Sequence, residues 1–299
     1  MEKACVSCSL TNPMETPERE YDWFDENRNP PVKGPLDRFV RRFRVLAHTL
    51  AVLVVYALAS VALGVALWPA LRLGLAVWRE SAALSEPLRL LVMGGAAGAG
   101  FFLFAITLLV VVPVMNFILP TRIGPFKGGY YTIATLPWFL HNALFYLVRY
   151  TVLPFVTLTP FSLLFLRLMG MKFGKRVFIN TEHISDPMLI SLGDDVAIGG
   201  SVHLFAHYGG GGNLVIAPIT IGAGATIGLK ATVMGDVQVG PGAVILPHSV
   251  LLPGSRVGAR EVWGGVPARP LPRADLNEHK RVIRGLEKTS LAQEPPERG

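Results

Sequence analysis

The sequence predicts two structural parts in one chain: N-terminal transmembrane helices, followed by an all-β domain wound as a parallel β-helix. Three observations carry this. Aliphatic residues recur every six positions without a break at Ile221, Ile227, Val233, Val239, Ile245, Leu251 and Val257. Two apolar runs, residues 45–68 and 90–112, are each long enough to cross a bilayer. The 299 residues are 51% hydrophobic and only 16% charged, with a mean hydropathy of +0.43, which is too apolar for an ordinary soluble protein.

Residues 1–36 are polar and proline-rich and are expected to form a disordered tail. Residues 1–40 contain no apolar core, so no signal peptide is expected. The two cysteines, Cys5 and Cys8, form a lone C-x-x-C in this tail. Zinc would need two more ligands nearby, and a thioredoxin-like site would need a βαβ setting, so an incidental reduced pair is expected, with a metal site shared between subunits as the alternative.

A membrane domain is expected over residues 37–170. Arg38, Arg41, Arg42 and Arg44 crowd the approach to the first apolar run. The second carries Gly94, Gly95, Gly98 and Gly100 and ends at Pro113, so its small residues would let it pack closely on the first. Arg122 and Lys127 follow it, and the positive-inside tendency then places both ends in the cytoplasm, although Arg72, Arg79 and Arg89 in the intervening segment oppose that orientation. Residues 137–169 form two shorter apolar segments divided at Pro154. In the first, His141, Asn142, Tyr146, Arg149 and Tyr150 share one helical face, which suits a helix lying at the interface. The second would dip into the bilayer or complete a hairpin, giving two firm spans and up to four. The net charge of +7 comes with no nucleic-acid motif, so anionic headgroups and a phosphate-bearing substrate are the expected partners.

The all-β domain is expected over residues 171–269. Glycine often follows the periodic aliphatic (Gly222, Gly228, Gly240, Gly258), and a small or branched residue often stands four after it (Ala225, Ala231, Val237, Ala243, Ser249, Ser255). One short strand plus a tight corner has this period, and three such sides close a coil of eighteen residues. Residues i and i+18 then stack about 4.8 Å apart. Ile221, Val239 and Val257 form one inward ladder, Ile227 and Ile245 a second, Val233 and Leu251 a third. Leu192, Ile198 and Leu204 hold the same period upstream, until residues 209–213 interrupt it as a loop leaving the coil and Val215 re-enters. The remaining residues, 270–299, are expected to hold one short helix over 275–286 and a tail.

The hexads, closed by Gly264-Gly265-Val266-Pro267-Ala268-Arg269, resemble the left-handed β-helix acyltransferases of the hexapeptide-repeat type, whose domains commonly end in a similar Gly-x-Pro-Ala sequence. Left-handedness comes from the resemblance alone, since parallel crossovers are normally right-handed. The segment 166–199, with Ile184-Ser185-Asp186-Pro187, resembles more narrowly the membrane-attached terminal domain of polylysine-type nonribosomal peptide synthetases, a likeness covering about residues 128–269. The resemblance implies acyl-CoA as co-substrate, acetyl-CoA foremost, and a homotrimer.

Function in such a column must occupy corners, loops and seams. His203 and His207 flank the departure of the glycine loop, outside the inward positions. The resemblance implies that one of them removes the acceptor's proton, and His207, immediately ahead of the loop, is the first candidate, with His203 in reserve. Asp186 or Asp194 is expected to orient the imidazole. Lys230, Arg256, Arg260 and Arg269 are the candidate partners for coenzyme A phosphates. The glycines do not make a P-loop, since no G-K-S/T follows. No metal is expected: His203, His207 and His248 depart from the spacing of the zinc ligands in β-helical carbonic anhydrases.

These residues together predict a membrane-anchored acyltransferase that moves an acyl group from CoA, or from a carrier thioester, to a hydroxyl or amine acceptor at the cytoplasmic face. The alternatives are a non-catalytic β-helix assembly platform and a peptide-bond-forming accessory domain of a nonribosomal peptide synthetase system, which would require a separate carrier protein.

Overall fold

The computed structural model describes residues 34–272. The expectations for the N-terminal tail, for Cys5 and Cys8, and for a helix over 275–286 lie outside the described residues.

A short helix, α1 (Pro35–Arg42), leads into two long ones, α2 (Arg44–Glu80) and α3 (Glu86–Ile118). Arg89 lies over the Trp78 ring at 4.0 Å, and a Cβ built on Gly100 would meet the Ala70 Cβ at 3.5 Å, so the two helices run antiparallel as a hairpin. Both are long and apolar enough to cross a membrane, and they are the two such helices among the described residues. The first apolar run ends at Trp68, but the helix continues through Pro69 to Glu80. What the sequence suggested as an intervening segment is therefore mostly helix, closed by a tight turn at Ser81–Ala83. Good helix formers after Pro69 and the contact with α3 outweigh the proline there. At about 1.5 Å per residue, α2 exceeds the ~30 Å hydrocarbon thickness and extends beyond it. Close packing in the hairpin uses Ala62, Ala66, Ala96 and Ala105, all buried, together with Gly100. Gly94, Gly95 and Gly98 meet nothing within 4 Å, so three of the four glycines do not serve that contact.

Three shorter helices follow: α4 (Leu136–Thr151), α5 (Leu153–Val156) and α6 (Pro160–Leu168). None is long enough to span a bilayer alone. The polar face that suggested an interfacial helix over α4 is instead turned into the protein, where His141, Asn142 and Arg149 are buried. Phe145 stacks on Phe165 at 5.5 Å, joining α4 to α6. One apolar core runs without a break from Ala62 and Leu108 through Phe145, Leu166 and Met169 into the coil interior at Ile190 and Ile219.

From Lys172 the chain winds as a parallel β-helix with three faces. Its inward ladders agree with the hexad arithmetic: Ile221 pairs with Val239 and Val239 with Val257, Ile227 with Ile245, and Val233 with Leu251. The ladders extend back to Phe173, Ile179 and Ile184, giving between four and five coils. Three residues after each periodic aliphatic, at Gly224, Lys230, Asp236, Gly242, His248, Gly254 and Arg260, φ is positive. The corner turns the chain through the left-handed region, which glycine and short polar residues reach most readily.

The glycine run is more ordered than a loop. His207–Gly210 and Asn213–Ile216 pair as an antiparallel hairpin, turned at Gly211 and Gly212 with φ of 56° and 79°. Two consecutive positive φ values match the right-handed twist of the flanking strands. Phe126–Gly129 pairs with the outer side of Asn213–Ile216, so the segment before α4 joins this extruded sheet. Val215 was expected to resume the inward register, yet Leu214 and Ile216 are the buried residues of that strand, and the coil resumes at Ile219–Ile221. Pairing within the hairpin, rather than the six-residue corner, sets which side chains point inward here. The terminating Gly-x-Pro-Ala stretch folds back as Arg269–Pro270, antiparallel to Val262–Gly264.

Ser249 occupies a small-residue position inside the coil, and its hydroxyl is buried without a partner. Ser249→Ala should leave the protein unchanged or stabilise it by about 1 kcal/mol, because it removes an unsatisfied group. Ile227→Ala, in the middle of a ladder, should cost about 2–5 kcal/mol. Denaturant unfolding of the two variants in detergent checks the contrast, and a Ser249→Ala loss as large as that of Ile227→Ala would contradict the placement of the hydroxyl.

Candidate active site

The face of the coil that carries Ile184, Leu204 and Val233 inward presents His183, Ser185, His203 and Phe205 outward, because strand neighbours alternate sides. Helix α4 packs across this outer surface. Its polar stripe faces the coil at helical spacing, with Trp138, Asn142, Tyr146 and Arg149 each touching a residue of the coil or the hairpin base.

At the corner after Ser185 the chain turns through Asp186, with φ 56° and ψ 51°, followed by a 3-10 turn at Pro187–Leu189. The αL turn directs the Asp186 carboxylate into the seam, where it is fully buried. Its Oδ1 accepts from Trp138 Nε1 at 2.9 Å and from Asn142 Nδ2 at 2.8 Å. Its Oδ2 accepts from His207 Nδ1 at 2.5 Å. Ser185 supports the same group, donating to Asn142 Oδ1 at 2.5 Å and lying 3.1 Å from the Tyr146 hydroxyl.

His207 is the first residue of the extruded hairpin, so the departure of the chain from the coil aims its ring across the corner. The Trp138 ring meets it edge-on at 5.1 Å. With Nδ1–H held by Asp186, the neutral ring carries its lone pair on Nε2. The His207 side chain keeps 20% exposure, against none for Asp186. A buried carboxylate, an oriented imidazole and an accessible second nitrogen make an arrangement able to accept a proton from a bound hydroxyl or amine. The hairpin packs closely on Tyr130: a Cβ on Gly209 would fall 2.1 Å from the Tyr130 hydroxyl, so a larger residue there would have to displace the Tyr130 ring.

Of the residues the sequence nominated, the structure brings His207 and Asp186 together and leaves the others elsewhere. Asp194 accepts from the Lys175 backbone at 2.7 Å and is a turn residue. His203 lies on the same face but stacks on His183 at 4.7 Å. Burial, with His183 and Arg149 adding to it, lowers the pKa of His203. The four candidate cations have separate local settings. Lys230 and Arg260 sit at different corners, each with positive φ. Arg256 pairs with Asp236 at 2.6 Å and lines a shallow groove of about 350 Å³ with Thr220, Gln238 and Gly258. Arg269 lies in the terminal strand and turns back to its neighbour's carbonyl. His248 occupies a corner, and among the described residues no group of three or more His, Cys, Asp and Glu is arranged to hold a metal.

Trp138 and Asn142 were not nominated from sequence. Their signal was the spacing of polar groups at 138, 142, 146 and 149 inside an apolar helix, which marks a buried polar stripe as well as it marks an interfacial one.

No protein-family model matches the chain. Over 116 residues it is 27% identical to delta-poly-L-ornithine synthetase of Acinetobacter baumannii (strain AB307-0294), a stretch that is 38% of this chain and 8% of that protein. The chain therefore matches less than a tenth of the length of this curated relative. Among solved structures, it is similar to a hexapeptide-repeat acetyltransferase of Vibrio cholerae O1 biovar eltor in complex with acetyl coenzyme A, with 26% identity, 34% of this chain and 60% of that one covered, and a TM-score of 0.32. A galactoside acetyltransferase in complex with coenzyme A matches at 19% identity over 49% of this chain and 85% of its own, with a TM-score of 0.37. The serine acetyltransferase of Neisseria gonorrhoeae matches at 18% identity over 69% and 66%, with a TM-score of 0.31.

Beside the site, His141 on α4 is fully buried and donates from Nδ1 to Asn116 Oδ1 at 2.8 Å, while its Nε2 has no partner. Burial lowers its pKa to about 4, against a smaller opposing pull from Asp186. The folded state thus holds the neutral ring, and the stability this confers is present above the unfolded value near 6.5 and is lost as pH falls towards 4. Thermal unfolding should show the melting temperature dropping across that window, with a shallower slope for His141→Asn. Equal slopes would mean that other groups carry the acid sensitivity.

Proposed function

We propose that the chain is a membrane-anchored acyltransferase in which His207 is the general base and Asp186 its orienting partner. The observation that carries this is the 2.5 Å bond from His207 Nδ1 to a fully buried Asp186 carboxylate, at the mouth of an extruded hairpin. The resemblance of the hexads to left-handed β-helix acyltransferases supports the same reading and implies coenzyme A as the carrier of the acyl group. Nε2 of His207 takes the proton of an acceptor hydroxyl or amine as its oxygen or nitrogen attacks the thioester carbonyl carbon. The tetrahedral intermediate collapses, the carbon–sulfur bond breaks, and the leaving thiolate recovers that proton. Trp138 and Asn142 hold the carboxylate so that the imidazole does not rotate away between these steps. Arg256, Arg260, Lys230 and Arg269 remain the candidates for donor phosphates, with assembly into a trimer as the means of bringing cations of neighbouring subunits to one groove.

In this reading the hairpin of α2 and α3 is the membrane anchor, which its length and apolar composition support, and the arginines before α2 favour the cytoplasmic face for the coil. A second reading is favoured by the likeness to a delta-poly-L-ornithine synthetase: the acyl donor is an aminoacyl thioester on a carrier protein, and the acceptor is an amine. The same base would serve, since both reactions are acyl transfer from sulfur.

His207→Ala should reduce turnover by about 10²- to 10⁴-fold with the protein still folded and membrane-bound. Arg256→Ala should raise KM for the CoA donor with kcat little changed, because phosphate binding is shared by ground and transition states. Release of CoA thiol by purified protein in detergent, with hydroxyl and amine acceptors, measures both. Full turnover by His207→Ala would remove the general-base assignment, and consumption of a carrier-borne aminoacyl thioester without CoA turnover would select the second reading. For orientation, a membrane-impermeant thiol reagent should label Ser85→Cys from outside the cell and Gly124→Cys only from the cytoplasmic side. The reverse pattern would invert the topology.

A further inference from the structure

Arg149 lies in the last turn of α4, where the helix meets the outer face of the coil. The residue is 5% exposed, and its guanidinium packs 5.2 Å from the ring centroids of Tyr146 and Tyr150 and 5.5 Å from that of Phe205. Among the described residues its one hydrogen bond runs from Nη2 to His183 Nδ1 at 2.9 Å, and its Nε is buried with no partner. No carboxylate among the described residues stands within ion-pairing distance of it. A buried guanidinium left in this state is costly, and its flat fork of donors fits a planar or tetrahedral oxyanion.

The neighbours sharpen this. Accepting from Arg149 requires the His183 ring to be neutral, with its proton on Nε2, which faces the Glu182 carboxylate at 3.4 Å. His203 stacks on His183 with the planes 10° apart. Two imidazoles and a guanidinium are therefore gathered here; Glu182 faces His183 rather than Arg149, and Asp186 is taken up by Trp138, Asn142 and His207. The cluster reaches the surface at His183, with 30% of its side chain exposed, and at Tyr150, 70% exposed. Phe205 links it to the proposed base: its ring contacts the Arg149 guanidinium on one side and lies 6.2 Å from the His207 ring on the other.

We propose that Arg149, walled by the stacked rings of His183 and His203, forms an oxyanion subsite that holds a carboxylate or phosphate of the acceptor while the acceptor's nucleophile, one phenyl ring away, reaches His207. The subsite rests on the acyltransferase reading for its purpose, but not for its detection. An acceptor of this kind is a small metabolite or chain end carrying both a nucleophile and an anionic group. Binding supplies the counter-charge that the described residues do not place at Arg149, so affinity and selectivity for acidic acceptors arise from the same frustrated group.

The test uses full-length protein in detergent with inorganic phosphate and acetate as probes, each against chloride at matched ionic strength. At millimolar concentration at least one probe should raise the melting temperature and shift the imidazole carbon signals of His183 and His203. A response to phosphate identifies a phosphorylated acceptor, and a response to acetate a carboxylate. Arg149→Met should abolish the response, and Arg149→Lys, which keeps the charge without the fork, should weaken it about tenfold. The histidine signals of the wild-type protein decide the matter if Arg149→Met does not fold. The proposal is overturned if neither probe differs from chloride, or if Arg149→Met responds as the wild type does. Because neither readout needs turnover, a normal anion response in a protein that transfers no acyl group would sink the acyltransferase reading alone, whereas acyl transfer with no anion response would sink the subsite alone.

Discussion

A carboxylate buried without solvent must have its lone pairs occupied, and the Asp186 side chain meets that demand with partners from two other parts of the chain. Trp138 and Asn142 come from α4, and His207 comes from the base of the extruded hairpin. The αL turn at Asp186 is the coil's own contribution. Removing any one element leaves the carboxylate exposed or unpaired, so the seating of the helical part on the coil and the orientation of the His207 imidazole are fixed by the same group. The polar stripe of α4 is thereby committed to the seam.

The coil supplies rigidity and little else. The ladders are mostly aliphatic, the corners from Gly224 to Arg260 each take one left-handed residue, and the coil interior holds one unpartnered hydroxyl among the described residues, that of Ser249. Apart from Arg89 Nε in the α2–α3 hairpin, the other unsatisfied groups among the described residues, Arg149 Nε and His141 Nε2, lie on α4, and the lowered His203 lies on the face it crosses. Such groups reduce stability where they stand, and a fold retains them most readily where they are used. The continuous core from the α2–α3 hairpin into the first coils offsets that cost by making the helices and the column one packed body.

Much of the fold was legible in the chain because its signals are local and periodic. A period of six can be satisfied by a three-sided coil, and the ladder Ile221–Val239–Val257 follows from counting alone. Apolar length alone likewise marked both long helices, although not their ends, since helix continuation past Trp68 depends on the neighbouring helix. His207 and Asp186 could each be nominated from their place beside the glycine run and the Ile-Ser-Asp-Pro segment, but their pairing could not. They are 21 residues apart and belong to successive coils, and the choice between Asp186 and Asp194 depends on which corner turns inward.

The sequence by itself determined the repeat, the two apolar helices and the histidine at the hairpin base, since each is written in contiguous residues whose spacing matches one backbone geometry. Only the tertiary structure decided what the polar stripe of α4 touches, that Val215 yields the inward position to Leu214 and Ile216, and that Arg256 is paired with Asp236. Periodicity fixes which side of its own element a residue occupies, whereas the partner it meets across a seam depends on how two elements of unrelated period are packed together.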